Sequence, residues 1–194
     1  DVRLPVFIGN QAVGEFLRYC QAQNLKEFLL VADENTYQAL GERVDKSLRA
    51  QGYDVVTVVL KGEEVLANEH YLVRVLLSYD RKERTFLAVG SGTITDIARF
   101  LSHRSAQKFI SLPTAASVDG FTSIGAPIVV DGAKITVLAH GPLAVFADIP
   151  TLCAAPRPMI AAGFGDLAVL FIAIRCHRIF SLGRLAKLAI SGMV

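Results

Sequence analysis

At 194 residues the chain has room for one full domain and a fragment of a second, at roughly 100 to 200 residues per domain. Hydrophobic residues make up 52% and charged residues 20%, yet apolar stretches such as Phe28 to Ala32 and Leu143 to Ala147 fall far short of the ~20 residues that cross a bilayer, which argues against a membrane protein. The formal net charge of +2 is spread without a basic stripe or interleaved aromatics, which argues against a nucleic-acid surface and leaves small phosphates as partners.

Pro5 to Ile8 reads as a short strand, with no basic and apolar leader of a secretory signal ahead of it, so a cytoplasmic setting is expected. Val13, Phe16, Leu17 and Cys20 then recur at helical spacing. Phe28 to Ala32 is a second strand ending at Asp33, and Tyr37, Leu40, Val44 and Leu48 mark a second amphipathic helix. Asp54 to Leu60 is a valine-rich strand, Glu63 to Tyr79 a third helix, and Arg84 to Val89 a fourth strand running into Gly90-Ser91-Gly92. Ile94, Ile97, Ala98 and Leu101 restart helical spacing, and Lys108 to Leu112 is a fifth strand. Strands alternating with helices predict an α/β domain with a mostly parallel sheet and crossover helices.

After Pro113 the pattern changes. Pro127 to Val130 and Lys134 to Ala139 flank Asp131-Gly132, a β-hairpin signal, and Leu143 to Ala147 is one more buried strand, so a mixed sheet is expected. Pro150, Pro156 and Pro158 punctuate the passage into Met159 to Ile174, an apolar helical segment read as the start of a second, all-helical domain. The predicted boundary separates residues 1–150 from 151–194.

Four features carry chemistry. Gly90-Ser91-Gly92-Thr93-Ile94-Thr95-Asp96 sits between a strand and a helix, where glycines admit a diphosphate and the helix N-terminus favours its charge. The third glycine of GxGxxG is absent, and a tight turn with Thr95 or Asp96 in a local capping role is an equal reading. Asp33 stands at the end of a buried strand, either facing a ribose hydroxyl or capping the next helix. The loop Pro113 to Ser123 offers Thr114, Ser117, Thr122 and Ser123 as hydrogen-bonding groups and Asp119 as a carboxylate to orient a substrate hydroxyl. Asp166, among apolar helix-forming residues, reads as a buried acid that needs a partner, and a divalent metal is one. His70, His103, His140 and His177 show no HxxxH or HExxH spacing and read as structural, while Cys20, Cys153 and Cys176 read as reduced core thiols.

The blocks GSGTITD, LPTAASVDGFTSIGAPI and AAGFGDL, in this order, resemble the sn-glycerol-1-phosphate dehydrogenase family, which shares a dehydroquinate synthase-like fold with glycerol dehydrogenase. The resemblance spans Val6 to Leu167. It implies a Rossmann-like dinucleotide-binding domain followed by the start or remnant of a helical metal and substrate domain. The implied reaction interconverts dihydroxyacetone phosphate and sn-glycerol 1-phosphate with NAD or NADP, in a possible homodimer.

Carried over by position, Asp33, Gly92, Thr93, Ile94, Thr95, Asp96, Thr114, Ala115, Ala116, Ser117 and Ser123 would contact the cofactor. Asp119 and Asp166 would contact substrate, and Asp166 would be catalytic and a ligand of zinc or nickel. The family's two histidine ligands have no recognisable counterpart, the stretch after Asp166 lacks the family's Asp-Trp pair, and LAISGMV resembles a later helix of the family's second domain. A polyol dehydrogenase, a dehydroquinate synthase, for which Lys134 is the one basic candidate near the loops, and a non-catalytic dinucleotide-binding remnant are the alternatives.

Overall fold

A computed structural model describes residues 4–168. The elements in chain order are β1 (Val6–Gly9), α1 (Ala12–Ala22), β2 (Glu27–Asp33), α2 (Glu34–Thr36), a π-helical turn (Tyr37–Gly41), α3 (Glu42–Ala50), β3 (Asp54–Leu60), α4 (Glu69–Ser78), β4 (Thr85–Gly90) and α5 (Gly92–Arg104). There follow β5 (Phe109–Pro113), a 3₁₀ turn (Gly120–Thr122), the hairpin β6 (Gly125–Val130) and β7 (Ala133–Leu138), β8 (Val145–Asp148) and α6 (Ile149–Cys153). Residues 157–168 are helical.

Six strands form one sheet in the order β1-β8-β5-β4-β2-β3, and every pairing in it is parallel. The apolar runs follow from this, because each central strand is buried on both faces. Phe28, Leu30 and Ala32 of β2 face one way, with Leu87 and Val89 of β4, into a core closed by Phe16 and Cys20 of α1 and Leu40, Val44 and Leu48 of the second helical segment. Leu29, Val31, Phe86 and Ala88 point to the other side, against Leu72 and Val75 of α4 and Ile94, Ile97, Ala98 and Leu101 of α5. Side chains alternating with a period of two on the strands therefore meet helical stripes above and below.

Two expectations are corrected. The sheet is not mixed: β6 and β7 pair antiparallel with each other over six residue pairs and form a sheet of their own, while β8 enters the main sheet in parallel between β1 and β5. The hairpin turn itself is as the sequence implies, with Asp131 and Gly132 at φ 50° and 75°, the left-handed pair that a two-residue turn needs. The third helix starts six residues later than expected, at Glu69. Asn68 caps it by accepting the Tyr71 N–H at 3.2 Å, and the Tyr71 hydroxyl donates to the carbonyls of Lys61 and Glu64, holding the preceding segment as a non-helical turn. No described helix is long and apolar enough to cross a membrane. The expected helix Met159 to Ile174 is helical as far as residue 168. Its remainder, with Cys176, His177 and the LAISGMV segment, lies outside the described residues.

Candidate functional site

The C-terminal ends of β2, β4, β5 and β8 lie along one edge of the sheet, where an open α/β sheet presents groups to a ligand. Gly90 closes β4 tightly, since a Cβ there would strike the Ile94 side chain. The chain then turns at Ser91 into α5, a helix of 13 residues. The first-turn amides of Gly92, Thr93 and Ile94 have no carbonyl ahead of them in the helix and point, with the positive end of its dipole, toward that edge. Two hollows flank this helix start.

The first, of about 280 Å³, is lined by Gly92, Thr95, Asp96 and Arg99 of α5, Asp119 and Ser123 of the following loop, and Asp166 of the helical run 157–168. Asp96 is largely buried, and burial pushes its carboxyl up to about 6 against the opposing pull of Arg99 and Lys134. Arg99 donates to it at 2.8 Å. Thr95, almost fully buried, turns its hydroxyl back to the Ser91 carbonyl at 3.0 Å, a local bond of the capping kind. Asp166 accepts the Asp119 backbone N–H at 3.0 Å. The two residues expected to handle substrate are thus brought together although they stand 47 residues apart.

The second hollow, of about 490 Å³, lies on the other side of Ser91 and is lined by Asp33, Thr36, Ser91, Thr114, Ala115 and Thr151 among others. Asp33 caps the next helix, one of the two readings made of it: one oxygen accepts the Thr36 N–H at 2.8 Å while its own N–H donates to the Thr36 hydroxyl at 3.0 Å, a reciprocal cap, and the residue also lines the hollow. Asp148 ties the far wall. Its buried carboxylate accepts from Arg43 at 2.5 Å and from the Thr151 hydroxyl at 2.6 Å, joining α3 to α6. Burial pushes this carboxyl up, and the bonds from Thr151 and Arg43 outweigh it and hold it below the usual carboxylate range.

Several expected residues have their side chains elsewhere. Ile94 is wholly buried in the core, which leaves its backbone amide as the group it can offer. Thr93, Ala116 and Ser117 line neither hollow. The loop at Ala116 instead receives the helical run: Gly163 packs so closely on the Ala116 carbonyl that a Cβ at 163 would fall on that oxygen.

Asp166 is exposed rather than buried, as are Phe164 and Leu167 beside it, because the described helix meets the rest of the chain through Gly163 and the Asp119 bond. Its partner is a backbone amide. Cys153 is exposed, against the expectation of a core thiol, whereas Cys20 is buried and its thiol is pushed up to about 12 by burial. His140 packs against His103 and Phe109, within 2.9 Å of the Ser102 hydroxyl, and His70 packs against Tyr71; neither hollow is lined by a histidine. Among the described residues no three His, Cys, Asp or Glu side chains are grouped to hold a metal. Arg99, Arg43 and Gly163 were not among the expected site residues. The spacing of Asp96 and Arg99 by three on one helix was the available signal for the first, and Asp148 before Pro150 at a helix start was the signal for the wall that Arg43 braces.

Residues 7–156 match the family model described as iron-containing alcohol dehydrogenase. Over 163 residues the chain is 43% identical to the glycerol-1-phosphate dehydrogenase (NAD(P)+) of Halalkalibacterium halodurans, an alignment covering 82% of this chain and 41% of that one. Over 173 residues it is 40% identical to the enzyme of the same name from Geobacillus thermodenitrificans, covering 87% of this chain and 43% of the other. The chain therefore spans less than half the length of these relatives. An alcohol dehydrogenase from Oenococcus oeni superposes with a TM-score of 0.75 at 18% identity, covering 86% of this chain and 50% of that one, which is a likeness of fold.

Proposed function

The chain belongs to the iron-containing alcohol dehydrogenase family, and from that premise we propose that it is the cofactor-binding part of an NAD(P)-dependent dehydrogenase that interconverts dihydroxyacetone phosphate and sn-glycerol 1-phosphate. The observation that carries this reading is the pair of hollows on either side of the α5 N-terminus. A dinucleotide laid across Ser91-Gly92 has its pyrophosphate at the free amides of Gly92, Thr93 and Ile94, its adenosine end in the hollow with Asp33, Thr114 and Ala115, and its nicotinamide ribose in the hollow with Asp96 and Ser123. In this placement residues 1–150 form the dinucleotide-binding domain and residues 151–194 begin the helical domain.

The nicotinamide supplies the hydride; the protein supplies orientation. Asp119 and Asp166, joined by one hydrogen bond at the mouth of the first hollow, face the place where a substrate hydroxyl or carbonyl meets the nicotinamide, so substrate and cofactor are aligned by the same loop. A divalent metal, zinc or nickel, would act as a Lewis acid on the oxygen at carbon 2. Asp166 offers such an ion one carboxylate, and the described residues do not complete a ligand set. The free thiols of Cys20 and Cys153 suit the cytoplasm in which we place the protein.

The test is oxidation of NADH and NADPH by the full-length protein, supplemented with zinc or nickel, with dihydroxyacetone phosphate or dihydroxyacetone as acceptor. Turnover with the phosphorylated ketone and little with the free one is expected. Preference for dihydroxyacetone would make the protein a polyol dehydrogenase, and binding of NADH without turnover of either would make it a dinucleotide-binding module.

A further inference from the structure

Arg99 is the largest fully buried side chain among the described residues, 1% exposed, and its guanidinium lies under the first hollow. Nη1 donates to Asp96 at 2.8 Å and to the Gly125 carbonyl at 2.7 Å, and Nη2 donates to the Gly120 carbonyl at 2.7 Å. The Phe109 ring lies 5.7 Å from Cζ. One planar group therefore joins three separate pieces of chain: the second turn of α5, the 3₁₀ turn that follows Asp119, and the first residue of β6.

Packing alone does not call for an arginine at this place. A buried ion pair is often no more stabilising than apolar side chains of the same volume, and burial acts against the charge of both Arg99 and Asp96. What a methionine cannot do is donate to carbonyls that diverge from one point, which the rigid fork of a guanidinium does. The segment 114–124 carries no helix or strand beyond its 3₁₀ turn. Its ends are tied by the Thr114 N–H to the Gly90 carbonyl and by the Ala139 N–H to the Ile124 carbonyl; between them, the bonds other than those from Arg99 are local or exposed: Ser123 N–H to Gly120, Gly125 N–H to the Ser123 hydroxyl, and Asp119 N–H to Asp166.

We propose that Arg99 is the positioning residue of the nicotinamide end of the cofactor site: it fixes the Asp119–Ser123 segment over the start of α5 and so creates the hollow between them. The proposal rests on reading that hollow as the nicotinamide end. The adenosine hollow is not lined by Arg99 or by any group that it bonds, so its ligand should be indifferent to the residue at 99.

NADH and ADP-ribose, which lacks the nicotinamide, are titrated into full-length wild type, Arg99→Met and Arg99→Lys, with thermal melts recorded for each. Wild type is expected to bind NADH more tightly than ADP-ribose. Arg99→Met should lose about tenfold in NADH affinity and keep its ADP-ribose affinity, because the ordering of the loop is then left for the cofactor to bring about. Its kcat should fall on the order of a hundredfold, from misplacement of the reacting groups. Arg99→Lys, with a single ammonium able to reach some of the carbonyls, should recover part of both and carries the test if the methionine variant does not fold.

Unchanged NADH affinity and kcat in both variants, or a parallel loss for both ligands in a folded variant, overturns the positioning role. Equal affinity of wild type for NADH and ADP-ribose overturns the assignment of the first hollow, and the proposal with it, and is recognisable because it occurs before any substitution.

Discussion

Asp96 shows how one residue's surroundings become a property of the whole protein. Its carboxyl titrates near 6 in the folded chain, against 3.8 when free of its surroundings. Between those values the folded state holds a proton that the unfolded state has released, so stability from this group increases as pH falls through about 6 and levels off near 4. The full effect is on the order of 3 kcal/mol. Urea unfolding of wild type and Asp96→Asn from pH 7.5 to 4.5 should show the difference between them shifting toward wild type as pH drops; a difference flat with pH would mean that Asp96 is not desolvated. Asp148, held low, contributes in the opposite direction at lower pH and is common to both proteins. Asp33 and Asp119 were readable as site candidates because carboxylates at strand ends and in small-residue loops stand out, Asp96 because it follows the glycine turn into a helix, and Asp166 as an acid among apolar helix formers. Arg99 did not stand out, since an arginine within a helix ordinarily faces solvent and only the fold shows this one to be buried.

The elements obey rules of different reach, and that decides which were legible. The buried strands were visible as short apolar runs, and α1, α3 and α5 as stripes of apolar residues three and four apart, because both patterns are local consequences of covering each face of the sheet. The start of α4 was not, because what displaces it is the long reach of the Tyr71 hydroxyl back to Lys61 and Glu64. Asn68→Ala should cost about 1 kcal/mol of stability, measured by chemical unfolding, by leaving the Tyr71 N–H without its cap. A cost near zero would show that the helix start is held by Tyr71 alone. The separation of β6 and β7 from the main sheet was equally hidden, since the sequence contains their turn but not the choice of neighbour.

At the scale of the molecule, one sheet with a core on each face brings backbone amides, carboxylates and the two hollows beside the start of α5 together at the C-terminal edge of its strands. In the proposed placement a dinucleotide would touch groups drawn from β2, α5, α6 and the loops that follow β4 and β5, and would so select the folded state. NADH at about 100 times its dissociation constant should stabilise the protein by about 2.7 kcal/mol. For a folding unit of about 150 to 250 residues that is a rise in melting temperature of roughly 5 to 11 °C. A melt unmoved by saturating NADH or NADPH would remove the cofactor from the proposal altogether.

The contact between Gly163 and the Ala116 carbonyl has a mechanical meaning. Asp166 lies three residues beyond that contact, less than one helical turn, and Ala116 lies three residues before Asp119. The two segments run from a common fulcrum to a common hydrogen bond and enclose a short rigid frame. Tilting the helix about Gly163 would carry the Asp166 carboxylate away from the Asp119 N–H, so that hydrogen bond gauges the angle between the helix and the loop.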